Sequence, residues 1–389
     1  MEISPTTRAV RAGIEADTAH ASVVPPIYLS TNYAFAGIDG KRAFDYSRSG
    51  NPTRAILAGA LADLEGGAGA VVTASGMGAV ATCLHAFVPA GATVVVPHDC
   101  YGGSWRLFDA LARKGQFDLR ICDLTGPDAA ARVAAAAPDL VWIETPSNPL
   151  LRLTDIKAIS DAAHASGGLV VVDNTFCSPI LQRPLALGAD VVVHSTTKYL
   201  NGHSDVIGGA VVASTPELAE QVDWWSNSLG VTGGALDSYL TLRGLRTLEL
   251  RMAKHVANAS AIADAVAGHP ALVAVHYPGL ASHPDHALAA VQQSGPGGIV
   301  TLDLRGGTHG VRAFLDGLAC FSLAESLGGV ESLVAHPASM THVAMPSAVQ
   351  DAAGITAGML RLSVGIEDAA DLVADLVRGL DRTARSLSG

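Results

Sequence analysis

Positive charge is scarce in this chain. Its 25 Lys and Arg residues stand against 36 Asp and Glu residues, which gives a formal net charge of −11 at pH 7. Proteins that bind a phosphate backbone do so through clustered Lys and Arg side chains. The charge balance therefore argues against a nucleic acid as a partner.

Cysteine is also sparse, and its spacing has no pattern. The residues are odd in number and include no CxxC pair; they are Cys83, Cys100, Cys122, Cys177 and Cys320. A disulfide framework or a zinc ribbon needs paired or closely spaced cysteines. We therefore expect reduced thiols and a cytoplasmic protein.

No targeting or membrane segment is evident. The opening MEISPTTRAVRAG lacks the apolar core of a secretory signal. Residues 66–97 contain no Asp, Glu, Lys or Arg and are long enough to cross a bilayer. Because His85, Pro89 and the sequence SGMG at 75–78 interrupt them, we interpret them as strand, turn, buried helix and strand. No membrane partner is expected.

What the chain does have is the composition of a compact α/β protein, with 49% hydrophobic residues and 41 Gly. Short β-branched runs alternate with helical spacing, which predicts a mainly parallel sheet buried on both faces. The runs are Ala70–Thr73, Thr93–Val96, Leu119–Cys122, Leu140–Ile143, Leu169–Val172 and Asp190–Val193.

Polar side chains follow several of these runs. Ser75, Glu144, Asp173 and Ser195 all fall just after the end of a predicted strand. Ligands of parallel sheets bind at the carboxyl ends of the strands. We therefore expect these four residues to lie together.

The remainder of the chain predicts two further units. Residues 235–266 read as one or two helices, followed by strands at 272–276, 299–304 and 360–364 and a last helix from about Asp368. This pattern is typical of a smaller α+β domain. The first residues lack sustained periodicity and read as an extended arm. The predicted organisation is an arm over 1–48, an α/β domain over 49–255 and an α+β domain over 256–389.

The most informative segment is HSTTKYLNGHSD, which runs from His194 to Asp205. A lone Lys198 follows a hydroxyl cluster, and an upstream apolar run ends in Asp173. An amine in a partly desolvated pocket becomes a nucleophile, so Lys198 would hold pyridoxal phosphate as a Schiff base. Asp173 would keep the pyridine nitrogen protonated, which lets the ring withdraw electrons from a substrate carbanion.

The Gly76-Met77-Gly78 turn gives a second signal. Glycines between a strand and a helix let backbone N–H groups close on a phosphate at the helix N-terminus. The segment from Gly76 to Ala81 also matches the pattern GxGxxA. Asp99 follows about 20 residues later, at the position of the acidic residue in a dinucleotide-binding fingerprint. The turn is therefore also compatible with a dinucleotide-dependent oxidoreductase, or with a tight turn that binds no ligand. An oxidoreductase would leave Lys198 and Asp173 without a role.

Several histidines raise the question of a metal site, especially HPDH at 283–286 and the pair His336 and His342. The intervening Pro284 prevents a regular helix from presenting both ligands, and no Cys or Glu cluster accompanies them. We interpret them as residues of solvated loops and expect no metal.

Further segments spread over nearly the whole chain extend the pattern. They are VVPPIYLSTNY, DYSRSGNPTR, LADLEGGAGAVVTASGM, PHDCYGGSWRLFD, ETPSNPLL, VVDNTF, GVTGGALDSYL, RGLRTL and FSLAESLGGVESL. Together with the Lys198 segment, their order resembles the Cys/Met-metabolism family of pyridoxal phosphate enzymes. The resemblance implies the aspartate-aminotransferase-like fold (fold type I), with Lys198 moving protons between substrate carbons and Tyr101 stacking on the cofactor ring.

The resemblance also implies how the cofactor phosphate is held. Its ligands would be the N–H groups of Gly76 and Met77 and the hydroxyls of Ser195 and Thr197. In the family, the equivalents of Tyr46 and Arg48 reach this phosphate from the arm of a neighbouring subunit. A homotetramer built from two dimers with shared sites is the implied assembly.

For the substrate, the resemblance places Arg361 on the carboxylate, since a planar and permanently charged donor pair suits that group. Asn148 and Ser326 would complete this pocket, and Glu325 would hold an amino group of the distal substrate arm. Arg106 and Asp45 are implied to face the same region.

The implied activity is a γ-replacement that belongs to transsulfuration and methionine biosynthesis. The acyl group of O-succinyl- or O-acetyl-homoserine would be exchanged for cysteine, giving cystathionine. A γ-lyase that cleaves cystathionine to cysteine, 2-oxobutanoate and ammonia uses almost the same residues and remains an alternative, as does a non-catalytic pyridoxal phosphate binder. One departure concerns the donor: Ser49 stands where the nearest family members carry a second Arg, which would weaken the hold on an anionic succinyl group.

Overall fold

The computed structural model describes residues 3–343 and 345–388. Within them the chain forms a seven-stranded and a five-stranded sheet. The strands are β1 (Gly69–Thr73), β2 (Ala92–Pro97), β3 (Phe117–Cys122), β4 (Leu140–Glu144), β5 (Leu169–Asp173), β6 (Val191–His194), β7 (Gly209–Ala213), β8 (Leu272–His276), β9 (Ile299–Leu304), β10 (Ser322–Leu323), β11 (Leu333–Ala335) and β12 (Met359–Ser363).

Helices separate most of the strands of the larger sheet. In chain order they are α1 (Pro5–Arg11), α2 (Pro52–Glu65), α3 (Gly76–Phe87), α4 (Gly102–Arg113), α5 (Ala129–Ala136), α6 (Ile156–His164), α7 (Ser178–Leu181), α8 (Pro216–Leu229), α9 (Ala235–Leu245), α10 (Leu248–Val266), α11 (His286–Gln292), α12 (Gly307–Leu315), α13 (Ser347–Ala353) and α14 (Ala369–Ser388). Two short 3₁₀ turns lie at Pro184–Leu187 and Pro337–Ser339.

The larger sheet has the order β1-β7-β6-β5-β4-β2-β3. Strands β6, β5, β4, β2 and β3 pair in parallel, while β7 pairs antiparallel with β1 and β6. The expected mainly parallel sheet is thus confirmed, and all six apolar runs form its strands. Strand β7 was not expected, because its five-residue run GAVVA follows a glycine-rich loop and has no alternation that distinguishes it from coil.

Helices cover both faces of this sheet, as buried parallel strands require. On one face, Val94, Trp142 and Val193 pack with Phe87 of α3 and Phe108 of α4. The rings of Phe108 and Trp142 meet edge to face with centroids 5.4 Å apart. Helices α2, α5 and α6 contribute to the apolar clusters on the opposite face.

The start of α3 is fixed locally. Ser75 has an extended backbone, and its Oγ accepts a hydrogen bond from the Gly78 N–H at 3.0 Å, which is the arrangement of an N-cap. The charge-free stretch 66–97 therefore forms β1, α3 and β2, as expected. Among the described residues, no helix is both long and apolar enough to cross a membrane.

The five-stranded sheet has the order β10-β11-β12-β9-β8. Helices α10, α12 and α14 supply Ile262, Phe314 and Leu376 to its core. Strand β12 lies centrally and carries Arg361 toward the larger sheet. This smaller unit confirms the predicted C-terminal α+β architecture, and the boundaries at 48 and 255 remain a prediction.

The N-terminal segment differs in one respect from the extended arm that was expected, because Pro5–Arg11 forms α1. The later part of the arm folds back on itself through hydrogen bonds from Tyr33 N to Asp45 O and from Ser47 N to Thr31 O. Arg54 of α2 connects this arm to the loop before α9. Its Nη2 donates to Ser47 O, and its Nη1 donates to Gly233 O.

Candidate active site

A cavity of about 530 Å³ opens at the carboxyl end of the larger sheet, against the smaller one. It brings together residues that follow β1, β4, β5 and β6, as the parallel topology predicted. Most of the expected site residues line it: Gly76, Met77, Tyr101, Arg106, Asn148, Asp173, Ser195, Thr197, Lys198, Glu325, Ser326 and Arg361.

One wall of the cavity is the N-terminus of α3. The N–H groups of Gly76 and Met77 donate to no acceptor in the described part of the chain. A Cβ at Gly76 would lie 2.9 Å from Ser195 Cβ and 3.1 Å from its Oγ, so only glycine permits this approach. Two free N–H groups, a helix N-terminus and a neighbouring hydroxyl together form a cradle for a phosphate.

Thr197 is engaged differently from Ser195. Its Oγ1 donates to Gly208 O at 3.2 Å and accepts from Gly208 N at 3.0 Å. The hydroxyl of Thr197 would have to turn away from Gly208 O in order to donate to a phosphate. Its place in the cradle therefore stays a prediction.

Lys198 extends into the cavity, and its Nζ donates to Ser326 Oγ at 2.8 Å. Burial, together with the nearby positive charge of Arg361, lowers the pKa of Lys198 to about 8. A buried amine with this pKa supplies far more neutral nucleophile near pH 7 than an exposed lysine does.

Tyr101 stands at the entrance, directly before α4, with 42% of its surface exposed. A Cβ at Gly103 would lie 2.5 Å from the Tyr101 ring, which explains the glycine at this position. The exposed ring face is available for stacking on a planar ligand. Burial and the negative charges of Glu144 and Glu325 raise the pKa of Tyr101.

Two carboxyl groups end neighbouring strands. Glu144 and Asp173 are register partners on β4 and β5 and therefore point to the same face. Asp173 Oδ1 accepts the Thr175 N–H at 3.0 Å, while Glu144 Oε2 accepts the Tyr101 N–H at 2.7 Å. Burial, followed by the Asp173 charge, raises the pKa of Glu144 well above its usual value.

Arg361 forms the opposite end of the cavity and is only 3% exposed. Its Nη1 donates to Asn148 Oδ1 at 3.1 Å, and its Nη2 donates to Ser326 O at 2.7 Å. Its buried Nε has no acceptor among the described residues. A buried guanidinium with a donor to spare is suited to a carboxylate ligand, and burial lowers the pKa of Arg361 to about 10.

Ser326 links the two cations, since it accepts from Lys198 through its hydroxyl and from Arg361 through its carbonyl. Its backbone φ of 84° lies in a region that L residues rarely adopt. Such strained residues cluster at functional sites. Arg106 and Glu325 also line the cavity but are exposed, and within the described chain Arg106 makes no ion pair.

The arm residues do not reach this cavity in their own chain. Tyr46 and Arg48 instead line a second, more open cavity of about 320 Å³. Arg48 Nη1 donates to Asn227 O at 2.9 Å, and its guanidinium lies 5.7 Å from the centroid of the Tyr46 ring. Asp45 pairs with Lys41 at 3.0 Å and accepts from Ser49 Oγ at 2.9 Å.

Sequence reasoning missed other residues at the site. Thr175 donates its N–H to Asp173 and accepts the Ser195 N–H at its Oγ1, so it joins two of the expected residues. An Asp followed two residues later by Thr after a strand was an available signal for such a turn. Met340, Thr341 and Val343 line the cavity from a loop that has no such pattern.

The interpretation of the histidines as solvated was wrong at two positions. His283 is 6% and His342 is 1% exposed. His342 Nε2 donates to Asn148 O at 3.0 Å, a contact between residues 194 positions apart that local sequence does not reveal. Within residues 3–343 and 345–388, no group of three or more His, Cys, Asp or Glu side chains is arranged to hold a metal ion.

The dinucleotide alternative finds no support in the topology. Strand β1, which precedes the GxGxxA turn, lies at the edge of the sheet, and its one strand partner within the described residues is antiparallel β7. A dinucleotide fold needs this strand inside a parallel βαβ unit. Asp99 is 3% exposed and lies 3.4 Å from Arg152, so it is not free to bind a ribose.

The remaining features fit pyridoxal phosphate. The α3 cradle suits the phosphate, Lys198 suits the aldehyde, and Tyr101 suits one face of the ring. Asp173 lies on the same wall with one carboxyl oxygen outside its hydrogen bond to Thr175. These groups satisfy a phosphate, an imine-forming carbon and a basic ring nitrogen at once.

Comparison with known families gives the same result. The model of the Cys/Met metabolism PLP-dependent enzymes matches residues 6–381. The chain belongs to this family. Its cofactor is therefore pyridoxal phosphate, and it is an enzyme of the cystathionine synthase and lyase group.

Individual family members can be compared over their whole length. Cystathionine γ-synthase of Escherichia coli (strain K12) is 51% identical over 373 residues, which cover 96% of this chain and 97% of that protein. A crystal structure of cystathionine γ-synthase from Xanthomonas oryzae pv. oryzae in complex with cystathionine superposes with a TM-score of 0.98 at 58% identity, covering 99% of this chain and 100% of that one. Cystathionine γ-lyase from Micromonospora echinospora has a TM-score of 0.93 at 45% identity, with 98% and 100% covered.

Proposed function

We propose that this chain is a cystathionine γ-synthase. It would replace the acyl group of O-succinyl- or O-acetyl-homoserine by cysteine: the Cγ–O bond breaks, a Cγ–S bond forms, and the acyl group leaves as a free carboxylate. The observation that carries the proposal is the single cavity that combines Lys198, Asp173 and Arg361. End-to-end similarity to named γ-synthases supports it.

When bound, pyridoxal phosphate supplies an electron sink that stabilises negative charge on substrate carbons. The chain contributes position, charge and proton handling. The N–H groups of Gly76 and Met77 and the Ser195 hydroxyl would hold the phosphate, with Thr197 joining once its hydroxyl turns from Gly208 O.

Two side chains would hold the ring. Asp173 would face the ring nitrogen and favour a proton there, because a carboxylate stabilises a neighbouring cation. Tyr101 would stack on the ring and limit its tilting. A ring that stays flat keeps the breaking bond aligned with its π system.

Lys198 would hold the cofactor, and its amine would also move protons between the α- and β-carbons of the substrate. Its lowered pKa suits both roles, because an amine with a pKa of about 8 gains and loses a proton readily near neutral pH. Its contact with Ser326 keeps the amine at the side of the cavity where Arg361 lies.

Arg361 and Asn148 would bind the substrate carboxylate, with Ser326 beside them. The Arg361 Nε, which has no acceptor among the described residues, supplies one of the donors. Glu325 and Arg106 line the exposed part of the cavity and would meet the distal arm of the substrate, where cysteine enters and the acyl group leaves.

The proposed assembly is a homotetramer of two site-sharing dimers, in which Asp45, Tyr46 and Arg48 serve the site of a neighbouring copy. Exposed apolar side chains in the arm support a covering partner: Leu29 is 75% and Ile38 is 100% exposed. A cytoplasmic location is proposed because all five cysteines, each within the described residues, are free thiols.

The experiment that tests this function compares two initial rates on one purified holoenzyme. One is cystathionine formed from O-succinyl- or O-acetyl-homoserine plus cysteine, and the other is cysteine released from cystathionine. We expect formation to be faster. Faster release would make the chain a γ-lyase and leave the residue assignments standing, whereas no turnover in either direction would favour a non-catalytic binder.

A further inference from the structure

Glu144 is a buried carboxyl group that the mechanism above does not use. It is 6% exposed and lines the main cavity beside Asp173, its register partner on the neighbouring strand. Neighbouring strands lie about 4.8 Å apart, so the two side chains leave adjacent backbones on the same face of the sheet. Like charges on such neighbours repel each other, and the burial of Glu144 strengthens the repulsion.

Among the described residues, the buried acids Glu65, Asp99 and Asp375 have a cation or an imidazole beside them, whereas Asp17 accepts backbone N–H groups instead. Glu65 Oε1 lies 2.6 Å from His194 Nε2, and Asp99 lies 3.4 Å from Arg152. Glu144 has no such partner within the described residues; its Oε2 accepts the Tyr101 N–H at 2.7 Å, and the backbone N–H of Asn148 also faces its carboxyl group. Burial of a carboxylate without a cation costs much more free energy than burial of a neutral, hydrogen-bonded acid.

We propose that Glu144 is a positioning residue that stays protonated in the holoenzyme: its Oε2 holds the Tyr101 backbone, and thereby the stacking ring, while the single negative charge of the pair rests on Asp173. The assignment rests on the proposed function, because it treats Tyr101 as the residue that stacks on the cofactor. Pairs of acids whose surroundings divide the proton between them are a recurring device of active sites.

The connection to Tyr101 is direct. Tyr101 precedes α4 and has no side-chain cap of its own, so the Glu144 carboxyl supplies the acceptor at the start of this helix. Movement of the carboxyl would shift the Tyr101 backbone and tilt its ring. The raised pKa of Glu144, caused by burial and the Asp173 charge, agrees with a neutral acid.

Other titratable or charged groups face the two carboxyl groups of this pair. They are Asp99, Cys83, Cys100, Tyr101, His194, Lys198, Arg361, Arg106 and Glu325. Arg152 lies beside Asp99 and offsets its charge. Lys198 and Arg361 make their hydrogen bonds to Ser326, and neither forms an ion pair with Glu144 in the described part of the chain.

The first test is spectroscopic and needs no turnover. We expect the C=O band of a protonated carboxylic acid in the infrared difference spectrum of wild-type holoenzyme minus Glu144→Gln at about pH 7 to 8. This band should shift when the protein is labelled with ¹³C-glutamate. A difference that contains only carboxylate bands overturns the proposal. Glu249→Gln, on the exposed start of α10, is the control and should remove only carboxylate bands.

The second test separates positioning from simple structural support. Glu144→Gln keeps an acceptor and no charge, so kcat, the pyridoxal phosphate Kd and the pH profile should stay within about threefold of wild type. Glu144→Asp, shorter by one methylene, should weaken cofactor binding and lower kcat by at least about tenfold. A Gln variant whose pH profile moves to lower pH would mean that a negative charge had been removed, and would contradict the proposal.

A double-mutant cycle tests whether the effect passes through Tyr101. The loss caused by Glu144→Asp should largely disappear in a Tyr101→Ala background, because coupled residues are not additive. Full additivity contradicts the assignment. Failure of the proposed function would instead appear as absent cystathionine formation in wild type, while the infrared and cofactor-binding results would be unaffected.

Discussion

The two cavities of this chain differ in how far one copy completes them. The main cavity is enclosed by strand ends and holds Arg361 at 3% exposure, with Lys198 fastened to the same Ser326. The arm cavity is smaller and more open, and its Tyr46 is 45% exposed. The residues that the resemblance assigns to one phosphate therefore lie in two places: Gly76, Met77, Ser195 and Thr197 line the main cavity, and Tyr46 and Arg48 line the arm cavity.

The physical consequence lies in the electrostatics. Burial lowers the pKa of Lys198 to about 8 and that of Arg361 to about 10, so the fold of a single chain already tunes these cations. Arg48, by contrast, lies in an exposed segment and contacts a backbone carbonyl of α8. An exposed cation acquires its full effect on a phosphate only when a second surface excludes water.

The largest expected effect is the loss of Lys198. Lys198→Ala should lower cystathionine formation by at least about a thousandfold, because nucleophile and proton carrier are removed together. The imine absorbance of the bound cofactor should disappear as well. Lys157→Ala, at an exposed position on α6, is the matched control and should keep both. Normal turnover by Lys198→Ala would refute the assignment of the main cavity.

Arg361 tests whether the buried end of the main cavity binds the substrate carboxylate. Arg361→Lys keeps a charge but loses the planar pair of donors, so KM for the acyl-homoserine should rise about 10- to 100-fold. The change in kcat should be smaller. Arg120→Lys, which replaces an exposed arginine on β3, serves as the control. An unchanged KM would place the carboxylate elsewhere.

The lowered pKa of Lys198 predicts how the apoenzyme takes up its cofactor. The neutral amine reacts, and its fraction rises with pH until it levels off above a pKa of about 8. The rate of imine formation should therefore fall about tenfold per pH unit below that value. Stopped-flow absorbance measures it. Lys157, whose pKa is raised by its hydrogen bond to Asp161, should not contribute. A rate that keeps rising steeply past about pH 9 would contradict the shift.

The contrast between the two cavities is sharpened by mixed oligomers. Tyr46→Ala combined with Arg48→Ala should weaken cofactor binding about tenfold or more. Co-expression of this variant with Lys198→Ala should restore activity if the arm crosses, because one site then has an intact lysine from one copy and an intact arm from the other. Each variant carries its own tag, so that the mixed oligomer can be purified. If the purified mixed oligomer does not recover activity, the arm serves its own chain.

Sequence patterns predicted those parts of the site that follow from local rules. Strand runs and the carboxyl-end rule for parallel sheets brought Ser75, Glu144, Asp173 and Ser195 to one edge, and the structure confirms this. The family prediction is confirmed as well. Strand β7 escaped prediction because a short apolar run has no distinguishing period, and β10 because it has only two residues.

Other features depend on contacts that no local pattern encodes. His342 is buried because it donates to a carbonyl of a loop far away in sequence, and burial with the nearby Arg361 charge lowers its pKa to about 4. The neutrality proposed for Glu144 depends equally on which strand lies beside β4. Sheet order decides the surroundings of Glu144, and packing between distant loops decides those of His342.

The smallest expected effect concerns the acyl donor at the mouth of the site. Ser49 donates to Asp45 Oδ1 and to Tyr46 O, so its side chain stays within the arm and adds no charge. Ser49→Arg should lower KM for O-succinyl-homoserine about two- to fivefold, because an exposed ion pair contributes at most about 1 kcal/mol. KM for O-acetyl-homoserine, whose acyl group has no charge, should hardly change. Ser49→Gln, whose side chain is long but neutral, is the control. If Arg and Gln change KM equally for both acyl donors, side-chain length and not charge determines the effect. High salt should weaken the Arg effect, since exposed charges are screened. An Arg effect that does not depend on salt would argue against a charge-based hold on the succinyl group at the mouth of the site.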